Sequence, residues 1–138
     1  MKYMLKLNPY LRFNDDKCRE AMNFYNDCLG GELTFQTMGE SPMAGEMPEA
    51  KDKIIHASLK KGDMEILASD MMRDKAIVGD NVALSINCES EEEIKSLFSK
   101  FSDGGEVFMP LEKQFWGALF GVITDKYGVE WMFNYPLK

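Results

Sequence analysis

The chain has 138 residues, 45% hydrophobic and 28% charged, with a net charge of −7, which suits one globular domain or two small fused halves. Its lysines and arginines form no stripe of the kind that displaces counterions from nucleic acid, and no apolar run approaches the roughly 20 residues of a membrane span. MKYMLKLNPYLRF alternates and carries Arg12, so it lacks the continuous apolar region of a signal peptide, and a cytoplasmic home is expected. Cys18, Cys28 and Cys88 show no CxxC spacing; reduced structural thiols are expected.

Residues 7 to 13, LNPYLRF, alternate as a strand. Asn14, Asp15 or Asp16 can cap the helix that follows, whose apolar stripe is Cys18, Ala21, Met22, Tyr25, Cys28 and Leu29. Gly30-Gly31 ends it, and ELTFQTM is a second strand. Residues 39 to 53, with two prolines, two glycines and mixed charge, read as a long mobile loop. IIHASLKKGDMEILAS then reads as a hairpin around Gly62-Asp63.

The pattern now repeats. NVALSIN, 81 to 87, alternates as a strand. Ser90 and Glu93 form a capping box, and Ile94, Leu97, Phe98 and Phe101 make a helical stripe. Gly104-Gly105 stops that helix, EVFM resumes as a strand, and a hairpin turns at Asp125 to Gly128. One spacing separates Phe24 from Phe98 and Gly30-Gly31 from Gly104-Gly105, and both glycine pairs precede Glu. The expected architecture is α+β: one domain over 1–138 made of two βαβββ modules in tandem, 1–70 and 81–138, with curved mixed sheets and a concave cup. A single such unit leaves one sheet face bare, to be covered by its sister, a partner chain or a ligand.

A duplicated βαβββ unit of this length resembles the vicinal oxygen chelate (glyoxalase/bleomycin resistance/dioxygenase) superfamily. More narrowly, Phe115-Trp116-Gly117, Phe120-Gly121, Asp125, Tyr127-Gly128, Trp131-Met132 and Asn134 resemble the C-terminal pattern of its PhnB-like (YjdN-like) branch. Pro9-Tyr10-Leu11 with Phe13, Phe24-Tyr25 before Leu29 to Glu32, and His56-Ala57 also fit. Some members of that branch carry a methyltransferase label. Neither glycine pair here opens a helix, as a methyl-donor turn would require, and that chemistry is not expected.

The superfamily resemblance implies a divalent metal held by His or Glu at four strand positions. Mapped by local pattern, these fall on Asn8, Leu67, Asn81 and Met132. None offers an imidazole or a carboxylate, so neither a metal nor any other cofactor is expected. A slip of two residues would bring in Glu65 and Glu130.

With the mapped positions taken as inward, period 2 supplies the remaining lining. Asn8, Tyr10 and Arg12 face in from the first strand, His56, Ser58 and Glu65 from the hairpin, and Asn81 from the fifth strand. Trp116, Phe120 and Met132 come from the last hairpin, while Trp131 and Phe133 go to the core. Such a mix of aromatics with a few convergent polar groups is the usual make-up of a small-ligand pocket. Each residue has two readings. His56 beside Glu65 is either a catalytic acid–base pair or a hydrogen-bonded structural histidine. Arg12 clamps an anion through its planar fork or makes a structural salt bridge. Trp116 and Tyr10 stack on a ligand or simply pack. The methionines between 38 and 72 cover a pocket or decorate an ordinary loop.

The leading expectation is a homodimeric, metal-independent small-molecule-binding protein. The alternative is an enzyme of lyase, isomerase or dioxygenase type acting on a small carbonyl, phenolic or phosphonate-like compound.

Overall fold

The computed structural model describes residues 5–137. The chain divides into two compact units, Met1–Ala76 and Ile77–Lys138, each built on the same plan of a four-stranded mixed sheet with one helix on one face.

In the first unit the order along the chain is β1 (Tyr10–Phe13), α1 (Cys18–Leu29), β2 (Glu32–Thr37), β3 (Ile54–Lys61) and β4 (Met64–Asp70). Across the sheet the order is β1-β4-β3-β2, with β1 parallel to β4 and the other pairs antiparallel. The stripe read from the sequence is the packed one: Cys18, Ala21, Met22, Tyr25, Cys28 and Leu29 are buried. They meet Phe13, Ala57, Leu59, Ile66 and Ala68 of the sheet. Each such large apolar side chain stabilises the fold by roughly 1.5–3 kcal/mol through its removal from water.

The helix cap is not the one expected. Asn14, Asp15 and Asp16 make no capping bond to α1. Asn14 instead exchanges two hydrogen bonds with Ala76, at 2.8 and 3.1 Å. The first helical N–H is met from across the unit, where Asp70 Oδ1 at the end of β4 accepts from Cys18 N at 2.9 Å. The other oxygen, Oδ2, accepts from Ile54 N at 2.8 Å. One buried carboxylate thus joins β4, α1 and β3.

Residues 39–53 are irregular, as expected, but they are organised. Two short 3₁₀ turns, Met38–Glu40 and Pro48–Ala50, bury Met38 and Ala50. Backbone bonds from Met38 N to Lys53 O and from Gly39 N to Lys51 O close the loop at its base, both at 2.8 Å. Met38 therefore belongs to the core rather than to a cover. A register shift between Gln36 and Thr37 accompanies the burial of Ile54 in the core, while Ile55 is half-buried.

In the second unit β5 (Leu84–Asn87), α2 (Glu91–Ser102), β6 (Glu106–Lys113), β7 (Ala118–Thr124) and β8 (Glu130–Pro136) form a sheet in the order β5-β8-β7-β6. Ser90 caps α2 by accepting from Glu93 N at 3.0 Å, and the Glu93 carboxylate accepts from Glu89 N at 2.9 Å. Phe98 and Phe101 of α2 meet Trp131 and Phe133, with ring centroids 4.7–5.6 Å apart. The expected strand 81–87 starts only at Leu84, leaving Asn81 and Val82 exposed ahead of it. The first strand is shortened likewise, beginning at Tyr10 and not at Leu7, which lies fully exposed before β1.

The repeated glycine pairs do two jobs. Gly30 and Gly104 take φ of +70° and +76°, the left-handed conformation that ends a helix. The second member of each pair sits against a neighbouring strand. A Cβ on Gly31 would lie 2.4 Å from Lys60 O, and one on Gly105 would lie 2.2 Å from Thr124 O.

Candidate functional site

Strand alternation gives each sheet one face under its helix and one free of it. In the first unit Leu11, Phe13, Leu59, Ile66 and Ala68 face the helix; Tyr10, Arg12, Thr34, Gln36, His56, Ser58, Lys60, Glu65, Leu67 and Ser69 share the other face. The register orders these side chains into rows. Tyr10, Leu67, Ser58 and Thr34 stand abreast across the four strands. Lys60 is paired with Glu65 on one side and with Glu32 on the other. At the opposite end Arg12 is abreast of Ser69, and Gln36 of His56. Ala57 pairs with Ala68, so His56 and Ser69, one step further, are also neighbours.

Charges are sorted along this face. The Glu65 carboxylate accepts from Ser58 Oγ at 2.7 Å and from Asn8 Nδ2 at 3.4 Å, and Lys60 Nζ lies at 4.0 Å. The Ser58 hydrogen bond, with help from Lys60 and Asn8, holds the Glu65 carboxyl below its ordinary value. Glu65 is therefore a bound, ionised group, and its partners are not those expected. It lies opposite Lys60, four residues along β3 from His56. Its carboxylate turns to Ser58, and no hydrogen bond joins it to the imidazole among the described residues, so Glu65 does not orient His56. An open cleft of about 560 Å³ runs beside it, lined by Lys6, Leu7, Asn8, Pro9, Asp63, Met64 and Glu65.

The other end of the face behaves differently. Arg12 has no carboxylate within ion-pair distance among the described residues. Its guanidinium carbon lies 6.0 Å from the Tyr10 ring centroid, and Tyr10 is itself 45% exposed. His56, Gln36 and Ser69 likewise make no side-chain hydrogen bond among the described residues. Neither the structural salt bridge nor the hydrogen-bonded structural histidine weighed above is formed among the described residues.

In the second unit the helix-free face is more apolar. Asn87, Asn134, Phe120 and Glu112 form one row, and Ser85, Met132, Val122 and Met109 the next. Trp116 and Phe115 occupy the turn before β7, where Gly117 at φ +84° lets the chain reverse. Trp116 is 51% exposed and stacks edge-on against Phe120 and Phe115, at 5.6 and 5.0 Å. Trp131 and Phe133 are buried on the helix side. Asp125 explains the turn between β7 and β8. Its Oδ1 accepts from Tyr127 N and Val129 N, and its Oδ2 accepts from Trp131 Nε1, at 2.8, 3.1 and 2.8 Å. Phe120 and Met132 thus lie on the helix-free face, whereas Asn81 stands outside the sheet.

The Glyoxalase/Bleomycin resistance protein/Dioxygenase superfamily profile matches residues 6–133. The chain belongs to this superfamily. It is 30% identical to Protein YjdN of Escherichia coli K12 over 94% of this chain and 95% of that protein. Among solved structures, protein PA1353 from Pseudomonas aeruginosa is 39% identical and superposes with a TM-score of 0.87, covering 98% of this chain and all of the other. The PhnB protein from Bacillus cereus is 29% identical, with a TM-score of 0.77 and coverage of 95% and 99%. The PhnB-like resemblance read from the C-terminal motif stands on these relatives.

The metal that the superfamily's chemistry implies does not fit this donor set. Asn8 and Leu67 offer one weak amide oxygen and a hydrocarbon, and Asn81 and Met132 offer another amide and a thioether. Hard divalent ions take carboxylates and imidazoles. Among the described residues no group of three or more His, Cys, Asp or Glu side chains could hold an ion. Of the two carboxylates that a two-residue slip would bring in, Glu65 is already engaged by Ser58 and Asn8, and Glu130 stands in the other unit.

No sequence signal announced Gln36, whereas the alternation that turns Leu67 inward does the same for Ser69. Gln36 becomes relevant only because the register sets it beside His56, and Ser69 because it stands next to Arg12.

Proposed function

We propose that this protein binds a small molecule without a divalent metal, on the helix-free face of its first sheet. One observation carries the reading: Arg12, Gln36, His56 and Ser69 stand together on that face with no side-chain hydrogen bond or ion pair to any of them among the described residues, and the Arg12 guanidinium meets only the Tyr10 ring. Polar groups so placed are retained at little cost to folding and are free to meet a ligand. Tyr10 and Leu67, in the adjoining row, offer an apolar surface beside them. Phe120, Met132, Asn134 and Trp116 give the second sheet a ligand-facing surface of its own, in which aromatic contact dominates. A catalytic role for His56 would need an orienting group that Glu65 does not supply, so binding is the better supported reading.

The partner chain in this proposal is a second copy of the protein. Val107, Phe108 and Phe115 are 49%, 78% and 96% exposed, and β6, which carries two of them, is a sheet edge. Val107 and Phe108 lie near the start of that edge and Phe115 beyond its end, and exposed apolar side chains along an unpaired edge favour covering by another chain.

Thermal shift of chelator-treated protein against a metabolite panel tests the binding. Ligand binding to the folded state raises the melting temperature by mass action, and the expected result is a stabilising compound whose effect weakens in Arg12→Ala. Stabilisation that appears only after Ni, Mn, Fe or Zn is added would refute the metal-independent reading. Sedimentation equilibrium across the micromolar range checks the dimer, and a monomer throughout would remove it.

A further inference from the structure

We infer that the ligand carries an oxyanion, a carboxylate or phosphate group attached to an apolar or aromatic body, and that the oxyanion sits over Ser69 between Arg12 and His56. The inference rests on the binding reading above and narrows it to a chemical class.

Ser69 lies on β4, with Arg12 on β1 to one side and His56 on β3 to the other. Neighbouring strands stand about 4.8 Å apart. A planar fork with five N–H donors, a hydroxyl and an imidazole are therefore aligned across about 10 Å of one sheet face. Gln36 extends the line by one more strand. All four side chains can donate hydrogen bonds, and the arginine adds a fixed positive charge. Bidentate arginine contacts are the usual way to hold a carboxylate or phosphate.

Charge sorting supplies the second argument. The protein is acidic, at −7, yet both acidic side chains of this face, Glu32 and Glu65, lie in the row of Lys60 at its other end. Glu65 is further occupied by Ser58 and Asn8. The Arg12 end carries no acidic strand residue on this face. A cation would find no counter-charge here, whereas an anion would find one unshared guanidinium. The row just inside, Tyr10 and Leu67, gives the ligand's body an aromatic ring and an aliphatic side chain to lie on.

Isothermal titration with three probes of similar shape tests the assignment: benzoate, phenyl phosphate and the neutral benzamide, at about 0.15 M ionic strength so that non-specific attraction is screened. The expected result is one-to-one binding of both anions, with benzamide at least tenfold weaker. Arg12→Ala should weaken the anions at least tenfold and leave benzamide unchanged, and Arg12→Lys should recover only part of the loss. Gln36→Ala and Ser69→Ala should weaken the anions by smaller factors. Arg12 and Gln36 are exposed and on opposite edge strands, so unchanged melting temperatures are expected for their variants. Benzamide binding as tightly as the anions, or anions binding Arg12→Ala undiminished, would overturn the anion assignment and leave the binding reading standing. A hit from the metabolite panel with no binding of either anion has the same consequence. Failure of the panel and of all three probes overturns both.

Discussion

Replacing Asp70 by Asn should loosen the first unit by about 3 kcal/mol. The carboxylate is 4% exposed and accepts from two backbone N–H groups, Cys18 N at 2.9 Å and Ile54 N at 2.8 Å. Asparagine matches its shape but has only one acceptor. Its amide nitrogen would point a donor at one of the two N–H groups, leaving both unsatisfied. A hydrogen bond to a charged group contributes roughly 1.5–3 kcal/mol, and an unmatched buried donor costs a further 1–3 kcal/mol. Part of this is regained by relaxation, which brings the sum to about 3 kcal/mol, a large share of the 5–15 kcal/mol typical of a domain. Urea unfolding followed by circular dichroism, with a slope near 2 kcal/mol per molar, should show the midpoint fall by about 1.5 M. Native-state hydrogen exchange should show the Cys18 and Ile54 amides losing protection first. A midpoint within about 0.3 M of the parent, with both amides still protected, would refute the claim that Asp70 is the joint between β4, α1 and β3.

Alkaline pH should destabilise the fold between about 9 and 12. Burial, followed by the Asp70 charge, pushes the Cys18 thiol up to about 12, and burial with Glu93 pushes Cys88 up to about 11. The folded state holds these protons where the unfolded chain releases them. Stability is therefore full below the unfolded value near 9 and declines as pH rises through the folded values. Urea midpoints that stay flat from pH 9 to 11 would contradict this. Gly31→Ala and Gly105→Ala should each destabilise by roughly 1–3 kcal/mol, because the added methyl meets a neighbouring strand's carbonyl and the backbone must move. Gly45→Ala, with open space around it, is the control and should be nearly neutral in the same melts.

Much of this architecture could be read from periodicity. The two helical stripes, the capping box at Ser90 and the hairpins at Gly62-Asp63 and Asp125 to Gly128 depend on neighbours within a few residues. Such local rules act before any tertiary contact. The cap on α1 escaped because it comes from Asp70, 52 residues away from Cys18, and no window of sequence joins the two. Parity placed Tyr10, Arg12, His56, Phe120 and Met132 on the helix-free faces. Parity does not give register, however, and register decides that Glu65 meets Ser58 and Lys60 instead of His56. Asn8 and Asn81 come from mapping the superfamily's ligand positions onto the local pattern, and both fall ahead of the strand starts at Tyr10 and Leu84. Residue 8 still reaches Glu65, whereas residue 81 has left the sheet.

The split between the two faces of the first sheet has an evolutionary consequence. Asp70, Cys18 and the apolar stripe hold the framework together from the helix side, while the side chains of Arg12, Gln36, His56 and Ser69 contribute no hydrogen bond or ion pair to it among the described residues. On the binding role proposed above, mutations among those four would alter recognition with little penalty in folding, leaving the lining free to drift while the scaffold persists. A lineage built on this module can therefore acquire new ligands by point changes on one surface, and its two copies can specialise independently.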